Sequence, residues 1–168
     1  QSNAFVRNRI HRNVEKNIPE VTREIFWDAL VACLLTTQQR SGPDRPVTRF
    51  ISTRPFPLNY KICSESIDIE KAVYQTITSF VGIRRGNKIA IEVMKNFTWL
   101  EDGGWEQIFQ LIKELLQKQT PEAERYAANL IDDSMAGFGP KQARNLLQSL
   151  GLTRYEIPID SRITKWLN

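Results

Sequence analysis

The stretch Met135-Ala136-Gly137-Phe138-Gly139-Pro140-Lys141-Gln142-Ala143-Arg144, followed by an apolar helix and then by Ile157-Pro158-Ile159-Asp160-Ser161-Arg162, decides the reading of this chain. Gly137 and Gly139 flank a single apolar residue, Phe138, so the backbone can turn sharply between two helices and present N–H groups at the N-terminus of the second. Such a turn suits a phosphate. Pro140 pre-sets the first turn of that second helix, Ala143, Leu146, Leu147 and Leu150 recur at helical spacing, and Gly151 stands where a helix end favours glycine. A helix from Pro140 to Leu150 rises on the order of 15 Å, and an extended segment from Leu152 to Ile159 is long enough to return to its start. Lys141 and Asp160 can therefore meet.

Outward from that stretch the pattern is helical, and the fold class is all-α. Pro19 to Gln39 carries Val21, Ile25, Ala29, Ala32, Cys33 and Leu35 on a broad apolar face, and Asp68 opens a helix with Ile69, Val73, Ile77, Phe80 and Val81. A third runs from about Asn87 through Ile89, Ala90, Val93, Met94 and Phe97. After a break at Gly103-Gly104, Trp105, Ile108, Phe109, Ile112, Leu115 and Leu116 recur at spacings of three and four. Thr120-Pro121 supplies an N-cap and a first-turn proline for the helix carrying Ala123, Ala127, Leu130 and Ile131, the first of the hairpin pair. Ser41 to Ser66, with prolines at 43, 46, 55 and 57, reads as a long irregular connection. No segment alternates as a strand does, and there is no repeat.

With 168 residues, 41% of them hydrophobic, the chain can bury a core and form one compact domain of two helical lobes. Its net charge of +4 and isoelectric point near 9.2 allow a polyanionic partner. No apolar run reaches the roughly 18 residues of a membrane span and no basic-then-apolar leader opens the chain, so the expectation is a soluble intracellular protein without a membrane partner. Cys33 and Cys63 are too isolated for a metal site or a disulfide framework and read as buried thiols in a reducing compartment. Gln1-Ser2-Asn3-Ala4 reads as a vestige of cloning, leaving 5–168 as the domain.

At Gly137-Phe138-Gly139-Pro140-Lys141 and Ile159-Asp160 the chain resembles the helix-hairpin-helix DNA glycosylases, the superfamily of endonuclease III and the 8-oxoguanine glycosylases. In the bifunctional members a lysine directly follows the hairpin and an aspartate comes after the next helix, as Lys141 and Asp160 do; members that only remove the base generally lack the lysine. The resemblance implies base excision with abasic-site lyase activity on double-stranded DNA, by a monomer, in the cytoplasm or nucleoid, or in the nucleus of a eukaryote. A damaged nucleotide would be flipped into a pocket between two lobes. Asp160 would stabilise the sugar cation as the base leaves, Lys141 would add to the sugar carbon, and β-elimination from the Schiff base would nick the strand. Gly137, Phe138 and Gly139 would hold a nearby phosphate through the main chain. Burial and the positive end of its own helix would favour the neutral, attacking amine of Lys141. Asp160 also sits where an N-cap would sit before a helix from Ser161 to Leu167, a role compatible with catalysis because backbone donors keep a carboxylate ionised.

Leu34-Leu35-Thr36-Thr37-Gln38-Gln39 is similar to a Leu-Leu-Ser-x-Gln segment of endonuclease III relatives, where the glutamine fills the gap left by the flipped base; Gln38 matches it. Arg84-Arg85-Gly86-Asn87-Lys88 resembles the family's basic turn, and a solvated turn is its plainer reading. The chain departs from the pattern in having Arg162 where many relatives have histidine, a residue that could pair with Asp160 or contact phosphate, and Ala136 where a proline often precedes the glycines. The resemblance also implies further C-terminal helices beyond residue 168, and an iron–sulfur cluster of the endonuclease III kind would need four cysteines after Asp160. The sequence holds none there, so no cofactor and no metal are expected, and the 8-oxoguanine enzymes are the nearer likeness. An endonuclease III-like enzyme for oxidised pyrimidines and a non-catalytic DNA-binding module are the alternatives. Phe26, Trp27, Phe80 and Phe138 each read as stacking or as core.

Overall fold

The computed structural model describes residues 4–15, 20–40 and 42–159. Among the described residues there are nine α-helices and no strand: α1 (Ala4–Asn13), α2 (Arg23–Thr36), α3 (Pro46–Ser52), α4 (Tyr60–Ser64), α5 (Ile69–Ser79), α6 (Gly86–Trp99), α7 (Trp105–Gln117), α8 (Pro121–Ser134) and α9 (Pro140–Ser149). The protein is all-α. Two compact units are present. One, here the α2–α6 unit, comprises Thr22–Trp105 and Met135–Gly137; the other, the α8–α9 unit, comprises the described residues of Gln1–Val21, Glu106–Ser134 and Phe138–Asn168.

The α2–α6 unit is built around α2. Thr22 starts this helix by accepting the Ile25 N–H on its hydroxyl. Phe26, Trp27, Leu30, Val31, Cys33, Leu34 and Leu35 are all buried, so α2 is apolar on most of its circumference; Ile25, expected inward, is exposed. Full enclosure settles two aromatic residues as core. Phe26 stacks edge-on against Trp105, and the buried Trp27 indole donates to the Leu58 carbonyl at 2.9 Å. α5 begins at Asp68, whose carboxylate accepts the Lys71 N–H at 2.9 Å, and packs along α6. Phe80 caps its end and meets Phe50 edge-on, whereas Val81, expected on the apolar face, is 88% exposed because the helix has already ended.

The proline-rich stretch is not irregular throughout. Pro46 occupies the first turn of α3, where a missing N–H costs nothing, and Asn59 caps α4 by accepting the Ile62 N–H at 3.1 Å. The prolines bound short helices here rather than excluding them. At the expected glycine break the chain kinks between α6 and α7: Asp102 leaves helical geometry, and Gly103 has φ +89.

In the α8–α9 unit the two helices pack on each other. Thr120 caps α8 through its hydroxyl and the Ala123 N–H. In α9, Ala143, Leu146 and Leu147 are buried, with Leu150 beside them. Gly151, at φ +80, closes α9 by donating to the Gln148 carbonyl while Leu152 donates to Leu147, the paired bonds that satisfy a helix's last carbonyls. Trp105, Ile108, Ile112 and Leu115 of α7 are buried as their spacing implies, but Leu116 is half exposed. Cys33 and Cys63 are buried free thiols, and burial pushes Cys63 up to about 11. No helix among the described residues is long and apolar enough to cross a membrane.

Candidate functional site

The turn between α8 and α9 uses its glycines differently. Gly137 has φ +81, a left-handed conformation that favours glycine, and a Cβ there would lie 2.4 Å from the Glu92 side-chain carbon Cδ. Gly139 has φ −149, ordinary extended backbone, and a Cβ there would meet nothing within 4 Å. Gly139 is also the N-cap of α9 and, having no side chain, supplies no side-chain acceptor to it. Phe138 is partly exposed.

Lys141 projects from the first turn of α9 and is exposed, not buried as an attacking amine was expected to be. The reason is helical phase: Ala143, Leu146 and Leu147 face inward, and Lys141 lies off that stripe. It lines an open cleft of about 410 Å³ together with Pro140, Arg144, Tyr155, Glu156, Ile157 and Ile159. Residues 152–159 therefore return to the start of α9, and the residue immediately before Asp160 shares a cleft with Lys141. Asp160, Arg162 and the helix expected over 161–167 lie outside the described residues.

Two carboxylates tie that returning segment down, and neither stands out in the sequence. Glu124, buried on α8, accepts three successive backbone N–H groups, those of Arg154, Tyr155 and Glu156, each at 2.8 Å. Glu156 receives Arg144 at 2.6 Å and Arg125 at 3.3 Å. Their only sequence signal is acidic residues at positions where a surface helix and a loop commonly carry them.

A second cluster lies in the α2–α6 unit. Gln38 follows α2, is exposed and has φ +55; Arg85 is the N-cap of α6 with φ +65. Left-handed backbone at non-glycine residues is uncommon and tends to gather where function demands it. Arg85 donates to the Thr37 carbonyl at 2.9 Å and Arg84 to that of Gln38 at 3.4 Å, so both guanidinium groups meet backbone carbonyls just beyond the C-terminus of α2. Gln39 accepts the Arg84 N–H at 3.0 Å and donates back to its carbonyl at 3.4 Å. The structure thus brings Gln38, Arg84 and Arg85 together, with Gln39 as the connection that sequence reading missed. Lys88 is exposed and sits 3.9 Å from Glu92, which also meets Arg85 at 3.4 Å. Burial raises the Glu92 carboxyl while Arg85 and Lys88 pull it down, and its Oε2, which would meet a Cβ on Gly137, is buried without a hydrogen-bond partner.

Among the described residues no group of histidine, cysteine, aspartate and glutamate side chains could hold a metal ion. Comparison of the chain with protein-family models, with curated proteins and with solved structures found no match. Fold and site together define an all-α protein with an exposed lysine at the mouth of a cleft.

Proposed function

We propose that this chain is a DNA glycosylase with abasic-site lyase activity, acting on an oxidised base in duplex DNA, with 8-oxoguanine favoured. Helix α8, the turn Met135–Gly139 and α9 serve as its helix-hairpin-helix, and the two units as its lobes. The observation that carries the reading is the cleft shared by Lys141 and Ile159, since the next residue along is Asp160. In this reading the Lys141 Nζ attacks the sugar C1′ of a flipped nucleotide, the base departs with the glycosidic electron pair, and Asp160 stabilises the positive charge that develops on the ring. The aminal so formed opens as its C1′–O4′ bond breaks, O4′ taking up the proton that the amine gives up and C1′=N forming as the Schiff base; loss of the C2′ proton then expels the 3′ phosphate, which nicks the strand. Gly137, Phe138 and Gly139 hold a phosphate of the same strand by main-chain N–H groups at the start of α9, and Gln38, Arg84, Arg85, Lys88 and Arg162 contact the duplex.

The test is borohydride reduction, which converts a Schiff base to a stable amine. The protein should cross-link to a duplex carrying an abasic site. Lys141→Gln should abolish the cross-link while duplex binding survives, and Lys165→Gln, outside the motif, should leave it intact. Cross-linking that persists in Lys141→Gln assigns the nucleophile elsewhere. Duplex binding with no cross-link in the unaltered protein makes the chain a non-catalytic DNA-binding module, and a panel of duplexes with one lesion each separates 8-oxoguanine from oxidised pyrimidines.

A further inference from the structure

The α8–α9 unit contains a buried carboxylate that the proposed chemistry does not use. Glu124 is 1% exposed, and its two oxygens take three consecutive main-chain donors, Arg154 on Oε1 and Tyr155 and Glu156 on Oε2. Residues 152–159 form neither helix nor strand, so no ladder satisfies these N–H groups, and successive donors converging on one point form a receptor for an anion. Here the chain supplies its own anion. A buried carboxylate is costly unless charge-assisted bonds replace its water, and three donors do so. The same segment is held a second way. The Glu156 side chain pairs with Arg144, which also donates to the Pro140 carbonyl at 2.9 Å, on the residue preceding Lys141. One tie runs from the segment's backbone to α8, the other from its side chain to the first turn of α9. Both act only a few residues before Asp160.

We propose that Glu124 is a positioning residue: by fixing the backbone of residues 154–156 it sets where the chain arrives beside Lys141, on the segment that leads into Asp160. The inference rests on the reading of Lys141 and Asp160 as the catalytic pair. Glutamine is nearly isosteric with glutamate but has one oxygen in place of two, so Glu124→Gln turns an amide group toward at least one N–H donor and loosens the segment without emptying the site.

The experiment compares four proteins, unaltered, Glu124→Gln, Asp160→Asn and the double variant, by hydrogen exchange, by duplex affinity and by single-turnover cross-linking to an abasic-site duplex under borohydride. In Glu124→Gln the amides of 154–156 should exchange at least ~10-fold faster. Duplex affinity should stay within about twofold while the cross-linking rate at saturating DNA falls on the order of 10-fold, and the double variant should be no more than about twofold slower than Asp160→Asn alone, because the two residues act through one placement. Rate losses that multiply, a loss of affinity with the saturated rate unchanged, or amides that are unprotected in the unaltered protein would each overturn the proposal. If Glu124→Gln does not fold, Glu124→Asp keeps the charge and shortens the reach by one methylene; it should melt cooperatively and react more slowly, and an unchanged rate overturns the proposal. An unaltered protein that never cross-links removes the glycosylase-lyase reading and this inference with it, whereas one that cross-links equally well without Glu124 removes this inference alone.

Discussion

The side chain of Asn96 forms a two-bond ring with the backbone of Ala136: its Oδ1 accepts the Ala136 N–H at 2.7 Å and its Nδ2 donates to the Ala136 carbonyl at 2.9 Å. Asn96 is buried on α6, so it stands in for a backbone partner that the turn residue does not otherwise have. Asn96→Ala leaves two backbone groups unpaired, and each costs about 1–3 kcal/mol, so a loss of roughly 2–6 kcal/mol is expected in urea unfolding. Asn96→Asp keeps the shape but sets an oxygen against the Ala136 carbonyl and should also destabilise. A change under about 0.5 kcal/mol in both variants would remove this role.

Gly137 and Gly139 should respond oppositely to alanine. At Gly137 the left-handed backbone costs about 1–2 kcal/mol, and the added Cβ collides with Glu92, a side chain held in place by Arg85. Gly137→Ala should therefore lower the melting temperature. At Gly139 the backbone is extended and the Cβ meets open space, so stability should hold within about 0.5 kcal/mol. That open space is where the proposed phosphate sits, so Gly139→Ala should weaken binding to all duplexes alike, phosphate contacts being blind to sequence. Weakening confined to one lesion would contradict a phosphate role.

The two glutamines after α2 separate in the same manner. Gln39 makes both bonds to the Arg84 backbone, and Gln39→Ala should cost on the order of 1 kcal/mol of stability. Gln38 is exposed, and Gln38→Ala should leave stability within about 0.5 kcal/mol. If Gln38 fills the space of a flipped base, its loss slows base removal more than nicking at a preformed abasic site, because expelling a stacked base is the step it assists. Equal effects on both substrates return Gln38 to an ordinary surface residue.

Local chemistry is what the sequence makes legible. The starts of α5, α8 and α9 follow from Asp68, Thr120 and Pro140, and the end of α9 from Gly151, because a cap acts within one turn of its own position. The return of the chain to Lys141 is legible for a related reason, since helix rise and extended length are fixed by geometry. α3 and α4 are not, because a proline that starts a helix and one that ends it look alike in a proline-rich stretch. Glu124 and Asn96 escape sequence reading altogether. Their partners are backbone groups some thirty to forty residues away, and a backbone N–H carries no residue-type signal. The left-handed φ of Arg85 is equally silent, so a basic turn whose plainer reading is a solvated one also holds the end of α2.

Asp28 gives a pH dependence independent of any DNA reading. It lies on α2, partly exposed, with its Oδ1 buried and without a hydrogen-bond partner. Burial raises its carboxyl from 3.8 to about 6, against the pull of Arg54 and with a smaller push from Glu24. The sign follows from the direction of the shift. A carboxyl whose folded value lies above its unfolded value binds protons more tightly when folded, so between about pH 4 and 6 the folded state holds more protons and stability falls as pH rises. Above pH 6 the full penalty of the buried charge is present. Asp28→Asn removes that charge and keeps the shape; after allowing for solvent screening of a partly exposed group, it should stabilise the protein by about 1 kcal/mol at pH 7. At pH 4, where the unaltered carboxyl is already protonated in the folded state, the gain should shrink toward zero. Melting temperatures of both proteins across this range check it: a difference that grows from pH 4 to pH 6 and then levels off is the expected result, and one that is constant across the range, or reversed, shows that the Asp28 charge is well accommodated as it stands.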